Sequence, residues 1–283
     1  MELFCLLLFV LLPLSYAKSL RNPGQGHIGV NPCKPFFVRN GQQANIKVFN
    51  FQARLAKPLG ACGATLLSPR YVLTAGHCVK NVQPFDITIY AGLQDPIRPL
   101  DLGVQSRKVK NIILHPEYNT YKANDVAVVE VEADFIQTEY VNFTRIYAND
   151  NFAFNQHNSE VWFTGYGKPY GRGSSQHLQL GHSTIFPFEE CKAMWARARL
   201  SVTVTEDNVC TASVDQCMSK GDSGGPLLYW FPHSTWGEWR QIGIISKGSE
   251  KPTPDGKLPD VSSRTSKYCD FIAQATQDSV KCL

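Results

Sequence analysis

Short runs of β-branched and aromatic residues, separated by turn-forming residues, dominate the chain from Ile46 onward. Such runs between turn signals are typical of short strands. Many short strands at this spacing predict an all-β fold, a sandwich or a barrel. Examples are Asp86–Tyr90, Val126–Val131, Glu160–Thr164 and Trp239–Ser246.

One helix is predicted near the end of the chain. Apolar side chains recur there at the i, i+3, i+4 and i+7 spacing that places them on one face of a helix. These residues are Tyr268, Phe271, Ile272 and Ala275.

The first residues indicate a secretory route. Met1–Ala17 is apolar but short for a membrane span, and it ends in the small-x-small pattern of a signal-peptide cleavage site. A membrane anchor is the alternative. Residues 18–37 are rich in Pro, Gly and Asn and should be irregular. We expect the mature protein to be soluble and extracellular or lumenal.

Composition narrows the class of protein. Nine cysteines less Cys5 leave eight, the even number expected for disulfides in an oxidising compartment. A net charge of +4, without clustering, does not favour nucleic-acid binding. The residues after the signal peptide are enough for one large domain or for two halves that share a core.

Three motifs carry candidate chemistry. Ser223 lies between glycines in the stretch GDSGGP, where backbone amides can approach a substrate carbonyl closely. His77 lies upstream in TAGHC, and Asp125 lies between them, just before an apolar run. A serine hydroxyl becomes a useful nucleophile when a base removes its proton, and an imidazole titrates near neutral pH.

The order His, Asp, Ser and these contexts resemble the trypsin/chymotrypsin family of serine proteases, from about Val38 to the C-terminus. The resemblance implies two packed antiparallel β-barrels with a C-terminal helix and a cleft between the barrels. The crossover should lie near Asp134–Asn155. It further implies a signal peptide at 1–17, a propeptide at 18–37 and a protease domain at 38–283.

The resemblance assigns roles to the motif residues. Ser223 would be the nucleophile, His77 the general base and then acid, and Asp125 the group that holds the histidine tautomer. The amides of Gly221 and Ser223 would form the oxyanion hole. Protein or peptide substrates are then expected, with an activating protease and a protease inhibitor as further partners. No nucleic acid, membrane, cofactor or metal is expected.

In relatives, a cut exposes an apolar N-terminus that buries itself beside the acid preceding the serine. Here that pair would be Val38 and Asp222. The residue before Val38 is Phe37 instead of Arg or Lys, so the resemblance favours a chymotrypsin-like activator or a different cut over a trypsin-like convertase.

The specificity pocket departs from the family pattern. Substrate-binding positions fall on Cys217, Ser246, Gly248 and Asp260. Trypsin-like enzymes carry Asp six residues before the nucleophile, where this chain has Cys217, although an insertion would place Asp215 there. Asp260 replaces a pocket glycine and would favour Arg or Lys, with an apolar or narrow pocket as the alternative. Lys247 replaces an aromatic wall and should disfavour some basic substrates.

The resemblance implies two disulfides, Cys62–Cys78 and Cys191–Cys210. The remaining cysteines allow three pairings that the sequence does not rank: Cys33, Cys217, Cys269 and Cys282. One hypothesis is that Cys33 pairs with the C-terminal segment and tethers the propeptide. Asn142 begins the N-x-Thr sequon Asn142-Phe143-Thr144, a candidate glycosylation site.

Two alternatives to a protease remain. A non-catalytic binding or regulatory protein of the same family is the first. The second is a lipase or esterase, since Gly221-Asp222-Ser223-Gly224-Gly225 fits G-x-S-x-G literally. That motif requires a strand–Ser–helix context and the order Ser, Asp, His, which this chain does not have.

Overall fold

A computed structural model describes most of the chain after residue 40. The described residues are 41–119, 123–154, 159–167, 175–198, 200, 202–213, 216, 218–232, 237–248 and 258–283. The expected signal peptide and propeptide, Val38, Cys33, Asp215 and Cys217 lie outside these residues. Their predictions therefore stay predictions.

The first half of the chain closes into a six-stranded antiparallel barrel. The strands follow one another around it in the order β2-β3-β4-β7-β6-β5, and β2 pairs with β5. Their bounds are β2 Gln52–Lys57, β3 Gly60–Leu66, β4 Tyr71–Thr74, β5 Thr88–Ala91, β6 Gln105–Leu114 and β7 Ala127–Val131. Its core includes Leu55, Leu73 and Ile89, all fully buried. Such burial stabilises a fold by roughly 1.5–3 kcal/mol per side chain.

A second antiparallel barrel follows. Its sheet runs β1-β9-β10-β13-β12-β11-β8, and pairing of β8 with β9 closes it, which leaves β1 attached outside the ring. The bounds are β1 Gln42–Gln43, β8 Glu160–Gly165, β9 Gln179–Ile185, β10 Asn208–Ala212, β11 Pro226–Pro232, β12 Gly237–Lys247 and β13 Asp260–Arg264. The predicted fold of two barrels is confirmed.

The helices among the described residues are short. They are α1 Gly76–Val79, α2 Asn151–Phe154, α3 Phe188–Arg197 and α4 Cys269–Ala275, with 3₁₀ turns at Pro84–Asp86 and Thr265–Tyr268. The predicted C-terminal helix is therefore present as α4 and the turn before it. Tyr268, Phe271 and Ile272 belong to the core cluster of the first barrel, although they follow the second barrel in sequence. The C-terminal helix thus joins the two halves.

Three disulfides lie within the described residues. Cys62–Cys78 and Cys191–Cys210 are as expected. The third, Cys269–Cys282, joins two of the four cysteines whose pairing was open. The tether from Cys33 to the C-terminal segment is therefore wrong, because the two cysteines of that segment bond to each other. Beyond α4, the Leu283 amide donates to the Ile146 carbonyl at 2.9 Å. The Cys269–Cys282 disulfide therefore helps to hold the residues after α4 against the crossover.

Replacing both Cys269 and Cys282 by Ser should lower the free energy of unfolding by about 2–4 kcal/mol, because the disulfide restricts the unfolded chain by linking residues at a sequence separation of 13. Denaturant unfolding measures this, with Gln274→Ala on the exposed side of α4 as the control. An unchanged denaturant midpoint would mean that the Cys269–Cys282 disulfide does not stabilise the fold.

Candidate active site

The first barrel brings His77 and Asp125 together. Strand β4 pairs with β7 so that Thr74 lies opposite Ala127. His77 follows β4 by one short turn and Asp125 precedes β7, so both leave the barrel at the same end. The Nδ1 atom of His77 lies 2.7 Å from Oδ2 of Asp125, and the His77 amide donates to Oδ1 at 2.8 Å. The carboxylate therefore fixes both the ring and the backbone of the histidine.

The second barrel completes the surroundings of Asp125. The Ser246 hydroxyl, near the end of β12, donates to Oδ2 of Asp125 at 2.5 Å. The Ser263 hydroxyl on β13 donates to the backbone oxygen of Asp125 at 3.1 Å. Sequence reasoning missed Ser263, because a buried serine in a strand carries no sign of its distant partner.

Hydrogen bonding outweighs burial at this carboxylate. Asp125 is only 3% exposed, and burial by itself would raise its pKa. The bonds from His77 and Ser246, with the charge interaction to the histidine, overcome that effect and hold the pKa of Asp125 below its ordinary value. The group is therefore a buried carboxylate at neutral pH.

Ser223 sits in a tight turn that contacts both barrels. Its backbone oxygen accepts a hydrogen bond from the Gly63 amide on β3 at 2.8 Å. The amide of Gly224 donates to Ile245 of β12 at 2.7 Å. Because Ile245 directly precedes Ser246, the same strand holds the serine turn and the Asp125 carboxylate. A Cβ on Gly63 would lie 2.7 Å from the Gly225 backbone, so the approach requires glycine there.

Two backbone amides of this turn remain available as donors. The amides of Asp222, Gly224 and Gly225 donate within the structure, whereas those of Gly221 and Ser223 donate to no described residue. Gly221 has a φ of +105°, in the region that favours glycine. The geometry can therefore present two N–H groups to a developing negative charge, as expected for an oxyanion hole.

Asp222 is a second buried carboxylate, and it is fully inaccessible to solvent. Oδ1 accepts the Gly167 amide at 2.8 Å, and Oδ2 accepts the amide and hydroxyl of Ser219 at 2.9 and 3.0 Å. Burial is the largest effect on its pKa, and together with the nearby charge of Asp260 it raises that pKa. No Lys, Arg or His of the described residues forms an ion pair with it. Its expected partner, Val38, lies outside them.

The structure brings part of the predicted pocket together. Gly248 and Asp260 are adjacent, since a Cβ on Gly248 would lie 2.7 Å from Oδ1 of Asp260. Asp260 is 5% exposed at the start of β13. The hydroxyl of Ser246 contacts Asp125, and its predicted contact with substrate stays a prediction. Cys217 lies outside the described residues.

Lys247 follows Ser246 at the end of β12. Burial lowers the pKa of its ammonium, and the charge of Asp125 acts in the opposite direction. A partly buried cation therefore lies within electrostatic range of the Asp125 carboxylate.

One group of potential metal ligands occurs among the described residues. Ligand atoms of Cys62, His77 and Cys78 lie within 4.8 Å of one another. The two sulfur atoms are joined in a disulfide, so neither can act as a thiolate ligand.

A family model described as Trypsin matches residues 38–272. The chain belongs to the trypsin family of serine proteases. No helix among the described residues is both long and apolar enough to cross a membrane.

Three relatives from Mus musculus illustrate the likeness. Atrial natriuretic peptide-converting enzyme is 31% identical over 194 residues, which cover 66% of this chain and 16% of that protein. Serine protease 28 is 24% identical over 267 residues, 88% of this chain and 93% of that protein. Transmembrane protease serine 11C is 32% identical over 250 residues, 84% and 53% respectively. The chain therefore spans less than two thirds of the first and third of these proteins.

Replacing Ser246 by Ala should destabilise the fold in a pH-dependent way. Removing a hydrogen bond to a charged group costs about 1.5–3 kcal/mol. Because the pKa of Asp125 is lowered in the folded state, its contribution is full above the unfolded-state pKa of about 3.9 and is lost as the pH falls through the folded-state pKa.

Urea unfolding from pH 7 down to pH 3 measures the difference in free energy of unfolding between wild type and Ser246→Ala. This difference should become smaller below about pH 4. Ser263→Ala is the matched control, because its hydroxyl bonds a neutral carbonyl and its effect should change little with pH. A pH-independent loss for Ser246→Ala would contradict the assignment.

Proposed function

We propose that this family member is a secreted serine endopeptidase that hydrolyses peptide bonds through an acyl-enzyme on Ser223. The observation that carries the proposal is the His77–Asp125 hydrogen bond, set beside the serine turn with its two available amides. These features support acyl transfer, which also requires the Ser223 hydroxyl to reach Nε2 of His77.

The proposed reaction begins when the Ser223 hydroxyl attacks the scissile carbonyl carbon and His77 takes the hydroxyl proton on Nε2. The Gly221 and Ser223 amides hold the resulting oxyanion, and Asp125 stabilises the imidazolium. The C–N bond then breaks, and the leaving amine takes the proton from His77. Water repeats the sequence on the acyl-enzyme, which releases the acid and regenerates the serine.

Activation would depend on Asp222. Its carboxylate is fully buried without an ion pair among the described residues, and a buried charge is stabilised by a buried partner. We propose that cleavage after Phe37, or at a nearby bond, supplies the ammonium of a new N-terminus. The match to the family begins at residue 38, which supports this boundary. The apolar Met1–Ala17 segment and the disulfides support secretion.

The mature chain, produced by a defined cut before Val38, should hydrolyse a denatured protein substrate. Ser223→Ala should abolish acyl-enzyme turnover, and Asp125→Asn should lower kcat by about 10⁴-fold because the histidine tautomer is no longer held. Thermal unfolding of Ser223→Ala, which should match wild type, is the control for folding. Absence of hydrolysis by the mature wild type would favour a non-catalytic family member.

Lys247 would shape substrate choice. Its ammonium interacts electrostatically with Asp125, so Lys247→Gln should raise kcat/KM for peptides with basic residues near the scissile bond relative to acidic ones. A charge interaction of about 1 kcal/mol corresponds to roughly a fivefold change. Lys192→Gln on the exposed side of α3 removes the same charge elsewhere and should leave the ratio unchanged. An identical ratio in both variants would contradict the role of Lys247.

Asp260 would also affect substrate preference, through the pocket that binds the side chain at the cleaved bond. A buried carboxylate there favours an Arg or Lys side chain at the cleaved bond, and an apolar or narrow pocket is the alternative. Comparing Arg, Leu and Ala at that position in otherwise identical peptides distinguishes the two.

A further inference from the structure

A cavity of about 410 Å³ lies between the barrel crossover and the second barrel, outside the proposed active site. The crossover contributes Asn142, Phe143, Thr144 and Tyr147 to its lining, and β12 contributes Glu238 and Trp239. The exposed atoms of this lining are mostly polar, and fixed polar groups in a concave site give orientation and specificity to a bound small molecule.

The side chain of Asn142 is held at one atom only. Its Oδ1 accepts the backbone amide of Phe143 at 2.9 Å. The backbone amide of Asn142 donates to the Asn50 carbonyl at 2.9 Å. Nδ2 donates to no described residue. Nδ2 is the atom that receives the sugar in N-linked glycosylation, and Asn142-Phe143-Thr144 fits the acceptor sequence.

Thr144 gives a second, independent observation. Its side chain lines the cavity and is 8% exposed, and its Oγ1 has no hydrogen-bond partner among the described residues. A buried hydroxyl without a partner destabilises the folded state. The hydroxyl makes no hydrogen bond to a described residue of the folded protein, whereas N-linked glycosylation requires it in the acceptor sequence.

The β12 side of the cavity supplies a fixed acceptor for sugar hydroxyls. Glu238 accepts hydrogen bonds from Tyr147 at 2.7 Å and Arg240 at 2.6 Å. A carboxylate can accept several hydrogen bonds, so this one can also accept from the hydroxyl groups of a pyranose. Trp239 lies next to it in the chain, with its ring packed against Phe49, Trp162 and Trp230.

We propose that Asn142 carries an N-linked glycan whose first N-acetylglucosamine packs into this cavity beside Glu238 and so joins the crossover to the second barrel. The inference rests on the secretory route proposed above. The donor is a lipid diphosphate-linked oligosaccharide of the secretory compartment. Nδ2 forms a bond to the anomeric carbon and loses one proton, while the bond from that carbon to the diphosphate oxygen breaks and the lipid diphosphate leaves with the electron pair.

Mass spectrometry of the Asn142 peptide tests the modification in protein secreted from eukaryotic cells. Treatment with peptide N-glycosidase should release a glycan and convert Asn142 to aspartate. Thr144→Ser keeps the acceptor sequence and should be modified, whereas Thr144→Val should not. An unmodified Asn142 in secreted wild type would overturn the proposal, and peptide hydrolysis by the same sample would show that the proposed function still stands.

Thermal unfolding tests the packing. Secreted Thr144→Val should melt about 2–4 °C below secreted wild type. Protein made in the bacterial periplasm forms disulfides but does not carry this glycan. There the melting temperature of Thr144→Val should equal or exceed that of wild type, because Val removes an unpartnered hydroxyl without changing the side-chain shape. Equal melting temperatures for glycosylated wild type and unmodified secreted Thr144→Val would overturn the packing.

Glu238→Ala tests the contact inside the cavity. The quantity to compare is the difference in melting temperature between secreted and periplasmic protein, which should be smaller in this variant than in wild type. An undiminished difference would place the sugar away from Glu238 and contradict the proposal.

Discussion

The arrangement of the site depends on one buried carboxylate that both barrels surround. Asp125 belongs to the first barrel, but its hydrogen bonds come from His77 in the first barrel and from Ser246 and Ser263 in the second. Burying a charge is unfavourable unless it is hydrogen-bonded, so these donors must be in place when the barrels pack. The interface between the barrels and the orientation of the histidine are therefore set by the same contacts.

Asp222 shows what the same burial does with different neighbours. Both carboxylates are removed from solvent, yet the pKa of Asp125 is lowered and that of Asp222 is raised. Asp125 interacts with a histidine, whereas the described neighbours of Asp222 are neutral donors and the negative charge of Asp260. A buried acid next to Ser223, with no cation beside it in the described part of the chain, is the physical basis for proposing that a new N-terminus completes the site.

Local patterns predicted the elements better than the contacts between them. The run of β-branched and aromatic residues in Trp239–Ser246 and the helical spacing of Phe271 and Ile272 were sufficient for β12 and α4, because both patterns are local. The fold of two barrels came from the resemblance, since many short strands also permit a sandwich. Pairing of Cys269 with Cys282 could not be ranked, because it depends on where α4 ends.

The candidate site was predictable in its motifs and not in its supports. His77, Asp125 and Ser223 were chosen from their sequence contexts. Gly63 and Ser263 were missed, because each reaches the site only through strand pairing across the fold. The hydrogen bonds that Gly167 and Ser219 donate to the Asp222 carboxylate likewise depend on the geometry of the loops, which no local sequence pattern indicates.

Labelling with a fluorophosphonate, followed by peptide mapping, tests the central claim most directly. The full chain and the chain beginning at Val38 would be compared, with Ser223→Ala as the blank. Our account predicts modification of Ser223 in the form beginning at Val38 and little in the full chain. Equal labelling of both forms would contradict the activation scheme, and no labelling of either would contradict the assignment of Ser223 as a nucleophile.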